Sequence, residues 1–146
     1  MEHSILSKKT IKLQSEVNDK HEAIKLAGEL LLKNGYVTEE YISSMLKRED
    51  DLSTYMGNYI AIPHGTEGSQ KYILRTGISI VQLKDQVNFG TDTEPKMVKV
   101  IFGISGVDNE HLEILSKIAI FAMKEENIFK LSQASTKEEI LKLLDI

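Results

Sequence analysis

The sequence predicts an α/β fold in a single domain, a sheet covered by helices. Three observations carry this. Apolar runs of strand length gather in the middle of the chain, and helical patterns occupy both ends, an order that implies helices packed on a sheet. The run Gly77-Ile78-Ser79-Ile80-Val81-Gln82-Leu83 is β-branched and largely apolar, as a central strand is. A chain of 146 residues, 41% hydrophobic and 27% charged, has the ordinary balance of one domain with a sizeable core.

The elements follow in order. Residues 1–10 are polar and are expected to be mobile. Ile11-Lys12-Leu13 alternates and reads as a short edge strand. Asn18 or Asp19 can cap a first helix, with Glu22 reaching back. Ala23, Ile24, Ala27, Leu30 and Leu31 form its buried stripe, and Gly35 ends it. Thr38 caps a second helix, whose positive end suits Glu39 and Glu40 and whose stripe is Tyr41, Ile42, Met45 and Leu46. Three strands are expected over 59–62, 77–83 and 98–104, the last with Val98, Val100, Phe102 and Ile104 on one face and Ile101 on the other. Val87-Asn88-Phe89-Gly90 reads as a small strand or loop feature. Asn109 caps a long helix to about Glu125 that is apolar on most sides, so burial is expected. A shorter helix covers about 128–133. Thr136 and Glu139 make a capping box for the last, which buries Ile140, Leu141, Leu143 and Leu144.

Composition removes several function classes. The formal net charge of -4 argues against a nucleic-acid binder. With no cysteine, disulfides, cysteine zinc sites and a cysteine nucleophile are excluded. No run approaches the apolar length of a membrane span, and residues 1–10 lack the apolar core of a signal peptide. A soluble, cytoplasmic protein is expected. There is no repeat, low-complexity tract or linker. A chain that starts at Met1 and stops soon after its last helix is expected to be a free-standing subunit, with excision from a longer fusion left open.

The chemistry centres on Ile60-Ala61-Ile62-Pro63-His64-Gly65. Pro63 cannot continue a ladder, Gly65 permits a sharp turn, and His64 is left at a strand end, where open α/β sheets bind ligands. Of the other histidines, His3 and His21 are expected to be solvated. His111 follows Asn109-Glu110 at a helix start after a strand and a glycine-containing loop. First-turn amides there are unpaired donors, and the macrodipole favours an anion and a neutral imidazole. If the two strands are parallel neighbours, the rings of His64 and His111 meet at one sheet edge. Arg48, at the end of the second helix, is close enough in sequence to fold over the same place, and guanidinium binds phosphate oxygens through a fork of donors. Arg48, His64 and His111 would then cradle a phosphoryl group, with one ring as nucleophile. No P-loop or glycine-rich nucleotide motif is present, so the phosphoryl group would come from a partner protein or small donor. By residue type alone, a structural role for His64 stays open. So does a metal site from His64, His111 and acids such as Glu67, Asp108 or Glu110, although no H-E-x-x-H spacing supports one. A serine triad lacks its G-x-S-x-G elbow.

The segment Gly57-Asn58-Tyr59-Ile60-Ala61-Ile62-Pro63-His64-Gly65-Thr66 resembles the active-site segment of the enzyme IIA domains of the bacterial sugar phosphotransferase system, mannitol/fructose class. The resemblance runs from about residue 11 to the C-terminus. It includes Gly35-Tyr36-Val37, Leu46-Lys47-Arg48-Glu49 and Ala134-Ser135-Thr136-Lys137-Glu138-Glu139-Ile140. Phe89-Gly90 and Gly103-Ile104-Ser105-Gly106-Val107-Asp108-Asn109-Glu110-His111 look most like the mannitol branch. The resemblance implies a mixed, mostly parallel sheet of about five strands flanked by helices. It implies that His64 is phosphorylated at Nε2 by the carrier protein HPr and passes the group to a cysteine of enzyme IIB. Enzyme IIB would then phosphorylate mannitol as it crosses the membrane through enzyme IIC. Arg48 and His111 match the supporting arginine and second histidine. Asn58 stands where family members can carry an acid, and no role is assigned to it. Such a relay needs no cofactor, nucleotide or metal. Ile62 and residues near Met56 and Tyr59 are candidate docking positions. A fructose-type enzyme IIA, a nitrogen-regulatory type acting as a phosphorylation-switched binding module, and a metal-dependent hydrolase are the alternatives.

Overall fold

A computed structural model describes residues 5–144. Strands β1 (Ile11–Ser15), β2 (Tyr55–Gly57), β3 (Ile60–Ala61), β4 (Gly77–Asn88) and β5 (Met97–Ser105) form one sheet, with helices α1 (Lys20–Lys33) and α2 (Glu39–Asp51) before β2. Helices α3 (Asn109–Ala122), α4 (Glu125–Gln133) and α5 (Lys137–Leu144) follow β5. The sheet order is β1-β4-β5-β3-β2. β1 runs parallel to β4 and β3 parallel to β5, while β4–β5 and β2–β3 are antiparallel. The expected α/β architecture, a five-stranded mixed sheet flanked by helices, is therefore present.

Both faces of the sheet are covered, which is why its central strands are apolar on both sides. On one face Ile24, Ala27 and Leu31 of α1 and Tyr41 and Met45 of α2 pack against Val81, Leu83 and Ile101. On the other, Ile114 and Ile118 of α3, Ile128 and Leu131 of α4 and Ile140 of α5 pack against Ile78, Ile80, Val100, Phe102 and Ile104. The α1 cap is as the sequence indicates: the Glu22 amide donates to Asp19 Oδ1 at 2.9 Å.

Of the segment expected to be mobile, Leu6 and Thr10 are buried and the Ile78 amide donates to the Ile5 carbonyl at 2.8 Å, while Lys8 and Lys9 are exposed. Four expectations are corrected. His3 lies outside the described residues. β2 is a strand that the sequence pattern missed, because three residues carry no readable alternation. Val98, expected to share a face with Val100, packs with Ile101 instead, beside the shift in the β4–β5 ladder between Gln82 and Val87. The helix expected to run from Asn109 to Glu125 ends at Ala122, and α4 starts at Glu125. α3 buries only Ile114, Ile118 and Ala122, one i, i+4, i+8 stripe, and leaves Leu112 and Ile120 exposed.

Candidate active site

The topology puts the two histidines together. β3 and β5 are parallel neighbours, with Ile60 opposite Val100 and Ala61 opposite Ile101. Both chains run out of the sheet at the same rim, where Pro63 accepts a bond from the Ile104 amide at 2.9 Å. The rings of His64 and His111 meet there edge to face, with centroids 5.0 Å apart and planes at 61°. His64 Nδ1 lies 2.8 Å from the Ile62 carbonyl oxygen. A carbonyl only accepts, so Nδ1 carries the proton and donates it. Nε2 is left with a free lone pair.

Burial pulls the His64 pKa below its ordinary value, and the neighbouring His111 and Arg48 charges act in the same direction. The Ile62 carbonyl and Glu49 oppose this. Burial also lowers the pKa of His111. Both rings are thus biased to the neutral form, the form a nucleophilic imidazole needs. The expectation of free first-turn amides on α3 is corrected at two positions. The Glu110 amide donates to the Val107 carbonyl and the His111 amide to that of Asp108.

Arg48, His64 and His111 line one cleft of about 380 Å³, together with Tyr41, Gly65 and Ser69. Arg48 reaches it from the last turn of α2, where its Nη1 donates to the Leu52 carbonyl. Two glycines make the walls possible. A Cβ on Gly65 would sit 2.2 Å from Ser69 Oγ, and one on Gly106 would sit 2.5 Å from His111 Cα. Among the described residues, no group of three His, Asp or Glu side chains is placed to hold a metal ion. Glu110 instead accepts from the Thr76 hydroxyl, and His21 pairs with Asp50 at the surface.

Two further residues shape the site and were not singled out from the sequence. Glu49 is 2% exposed, and its Oε1 accepts from the Thr54 amide at 2.8 Å and the Thr54 hydroxyl at 2.6 Å. Lys20 Nζ lies 3.4 Å from its other oxygen. Thr54 in turn accepts the Ile62 amide at 3.0 Å, so a buried carboxylate anchors the residue that orients His64. Tyr41, assigned to an apolar stripe by its spacing, is buried, but its hydroxyl donates to the Ile104 carbonyl at 2.7 Å and accepts the Gly65 amide at 2.9 Å. Burial pushes its pKa up to about 12. Of the docking candidates, Tyr59 is exposed while Met56 and Ile62 are half-buried.

The family model described as "Phosphoenolpyruvate-dependent sugar phosphotransferase system, EIIA 2" matches residues 4–145. The chain belongs to that family. Relatives named mannitol-specific phosphotransferase enzyme IIA component are 51% identical in Bacillus subtilis, over 97% of this chain and 96% of the relative. In Geobacillus stearothermophilus the identity is 50%, over 99% and 98%. The NMR structure of the complex of enzyme IIAMTL and phosphorylated enzyme IIBMTL from Escherichia coli superposes with a TM-score of 0.89 at 34% identity, over 96% of each chain. As an enzyme IIA family member, the protein is a component of a phosphotransferase system. Among the described residues, this enzyme IIA has no helix long and apolar enough to cross a membrane.

Proposed function

We propose that this enzyme IIA is a mannitol-type phosphocarrier in which His64 Nε2 carries the phosphoryl group. The observation that carries the proposal is the bond from His64 Nδ1–H to the Ile62 carbonyl, which leaves Nε2 unprotonated on a ring that lines the cleft. Nε2 attacks the phosphorus of phosphohistidine on HPr. The new N–P bond forms as the old one breaks, and the electron pair returns to the HPr imidazole. A thiolate of enzyme IIB then attacks the same phosphorus, forming an S–P bond and returning the pair to Nε2. Arg48 and His111 contact the equatorial oxygens and offset their charge in a site that excludes much of the water. Enzyme IIB passes the group to mannitol entering through enzyme IIC.

The whole chain serves as one enzyme IIA domain, working in the cytoplasm where HPr and enzyme IIB meet it in turn. Two sequential partners call for small, transient interfaces, and the open rim around His64 suits them. The mannitol assignment is supported by relatives at 51% and 50% identity that carry that name.

The test is a reconstituted relay from radiolabelled phosphoenolpyruvate through enzyme I and HPr. The wild type is expected to take up label stoichiometrically and release it to a mannitol-type enzyme IIB. His64→Ala is expected to take up none. Stoichiometric label on that variant would overturn the assignment, and label that leaves for no sugar-specific enzyme IIB would instead favour a phosphorylation-switched binding module.

A further inference from the structure

The ladder between β3 and β5 should continue through His64. Ile60 faces Val100 and Ala61 faces Ile101, so the same register places His64 opposite Ile104. A parallel pair at that position requires two bonds, Ile104 N–H to Pro63 O and Gly65 N–H to Ile104 O. The first is present at 2.9 Å. The second is interrupted. The Gly65 amide donates to Tyr41 Oη at 2.9 Å, and the Tyr41 hydroxyl donates to the Ile104 carbonyl at 2.7 Å. One hydroxyl stands where a direct ladder bond would be, and it satisfies both backbone groups that it separates.

We infer that Tyr41 is a positioning residue for the phosphoryl relay, its hydroxyl wedged into the β3–β5 ladder to set the backbone on either side of His64. The wedge holds the His64–Gly65 peptide away from β5 by the width of one oxygen while leaving the Pro63 side in register. The strand therefore turns out of the sheet at His64 itself. The side chain on that turn is delivered to the rim, with Nδ1 in reach of Ile62 O and Nε2 left free. The ring of Tyr41 is fixed for this task. It is 2% exposed, it lies on α2 among the residues packed against the sheet, and it lines the cleft with His64. Its raised pKa keeps the hydroxyl protonated, hence a donor, throughout the range in which a histidine relay operates.

Removing the hydroxyl disturbs His64 in one of two ways. Either Gly65 N–H closes directly onto Ile104 O and draws the turn into the sheet, or the two groups stay apart without partners and the turn that carries His64 loses the bonds that fix it. The inference rests on the phosphoryl relay proposed above, and the experiment separates the two. Wild type and Tyr41→Phe are compared in single-turnover transfer from phospho-HPr and by 15N NMR of the His64 ring. Failure of the wild type to accept phosphate would reject the relay, while the ring spectra would still report whether the hydroxyl sets the His64 geometry. With the wild type active, Tyr41→Phe is expected to lower the maximal transfer rate about tenfold, with the half-saturating HPr concentration little changed and the His64 nitrogens shifted. A rate within about twofold of wild type, with unshifted His64 nitrogens, would overturn the inference. If Tyr41→Phe does not fold, fluorotyrosine at position 41 keeps the ring and hydroxyl but weakens the oxygen as acceptor from Gly65. The same two readouts must then move, and their constancy would overturn it.

Discussion

Glu49→Ala gives the sharpest test of how the site is supported. The substitution removes a buried carboxylate that accepts two bonds from Thr54 and pairs with Lys20. Thr54 is 4% exposed, so its amide and hydroxyl have little water to turn to. Hydrogen bonds to a charged group are worth about 1.5–3 kcal/mol each, and orphaning a buried partner costs a similar amount. The Lys20 side chain keeps 25% of its exposure, so its share is discounted. We expect a loss of about 3 kcal/mol, a large part of the 5–15 kcal/mol typical of a domain. The melting temperature should fall by roughly 6–12 °C for a chain of this size. Urea unfolding should show a lower midpoint with an unchanged slope. Thr54→Val, which removes only the hydroxyl bond, should cost about 2 kcal/mol, and Glu49→Gln should recover part of the loss by keeping an acceptor. Phosphoryl transfer should also slow in Glu49→Ala, because Thr54 holds Ile62 and Ile62 orients His64. A destabilisation of Glu49→Ala below about 1 kcal/mol would refute the reasoning.

Acid should act on the protein through its two site histidines. Both have folded pKa values depressed below 6.5, so the unfolded chain takes up protons first as the pH falls through that value. Their contribution to stability is complete above 6.5 and declines below it, and proton uptake on unfolding measured by calorimetry between pH 7 and 5 should be positive. The same shift favours an unprotonated Nε2, so the rate of phosphate acceptance should reach half its maximum below pH 6.5; a half-maximal rate above that pH would contradict it. Gly65→Ala should cost about 2 kcal/mol by overpacking against Ser69, Ser44 and Tyr41, and a chemical melt at wild-type strength would count against the packing described. His111→Ala and Arg48→Ala should fold normally and slow transfer by roughly tenfold or more, and wild-type rates in stopped-flow assays would remove both from the site.

Much of the site was legible because its chemistry sits on local signals. The proline-histidine-glycine turn, the histidine at a helix start and the arginine at a helix end can each be read within a few residues of sequence. The meeting of the two histidines needed only β3 and β5 to be parallel neighbours, which they are, and Arg48 joins them from the end of α2. Glu49 was not legible, because it lies in the charged run Lys47-Arg48-Glu49-Asp50-Asp51 and its burial depends on Thr54 and on Lys20 in another helix. Tyr41 was half legible: its spacing marks a buried ring, but spacing says nothing about where a hydroxyl ends. The apolar residues of α3 misled for a related reason. Periodicity reports which positions are apolar, and the sheet can cover only one stripe of a helix that lies across it.

The bond between His64 Nδ1 and Ile62 has a further consequence for how the proposed relay presents its ring. Nδ1 donates to that carbonyl when the ring is bare, and nothing about a phosphoryl group on Nε2 requires the bond to break. In the proposed relay the same hydrogen bond therefore holds the ring in its empty and its loaded state. In that relay the ring need not turn between receiving and giving, so loading and unloading present Nε2 to both partners in one orientation.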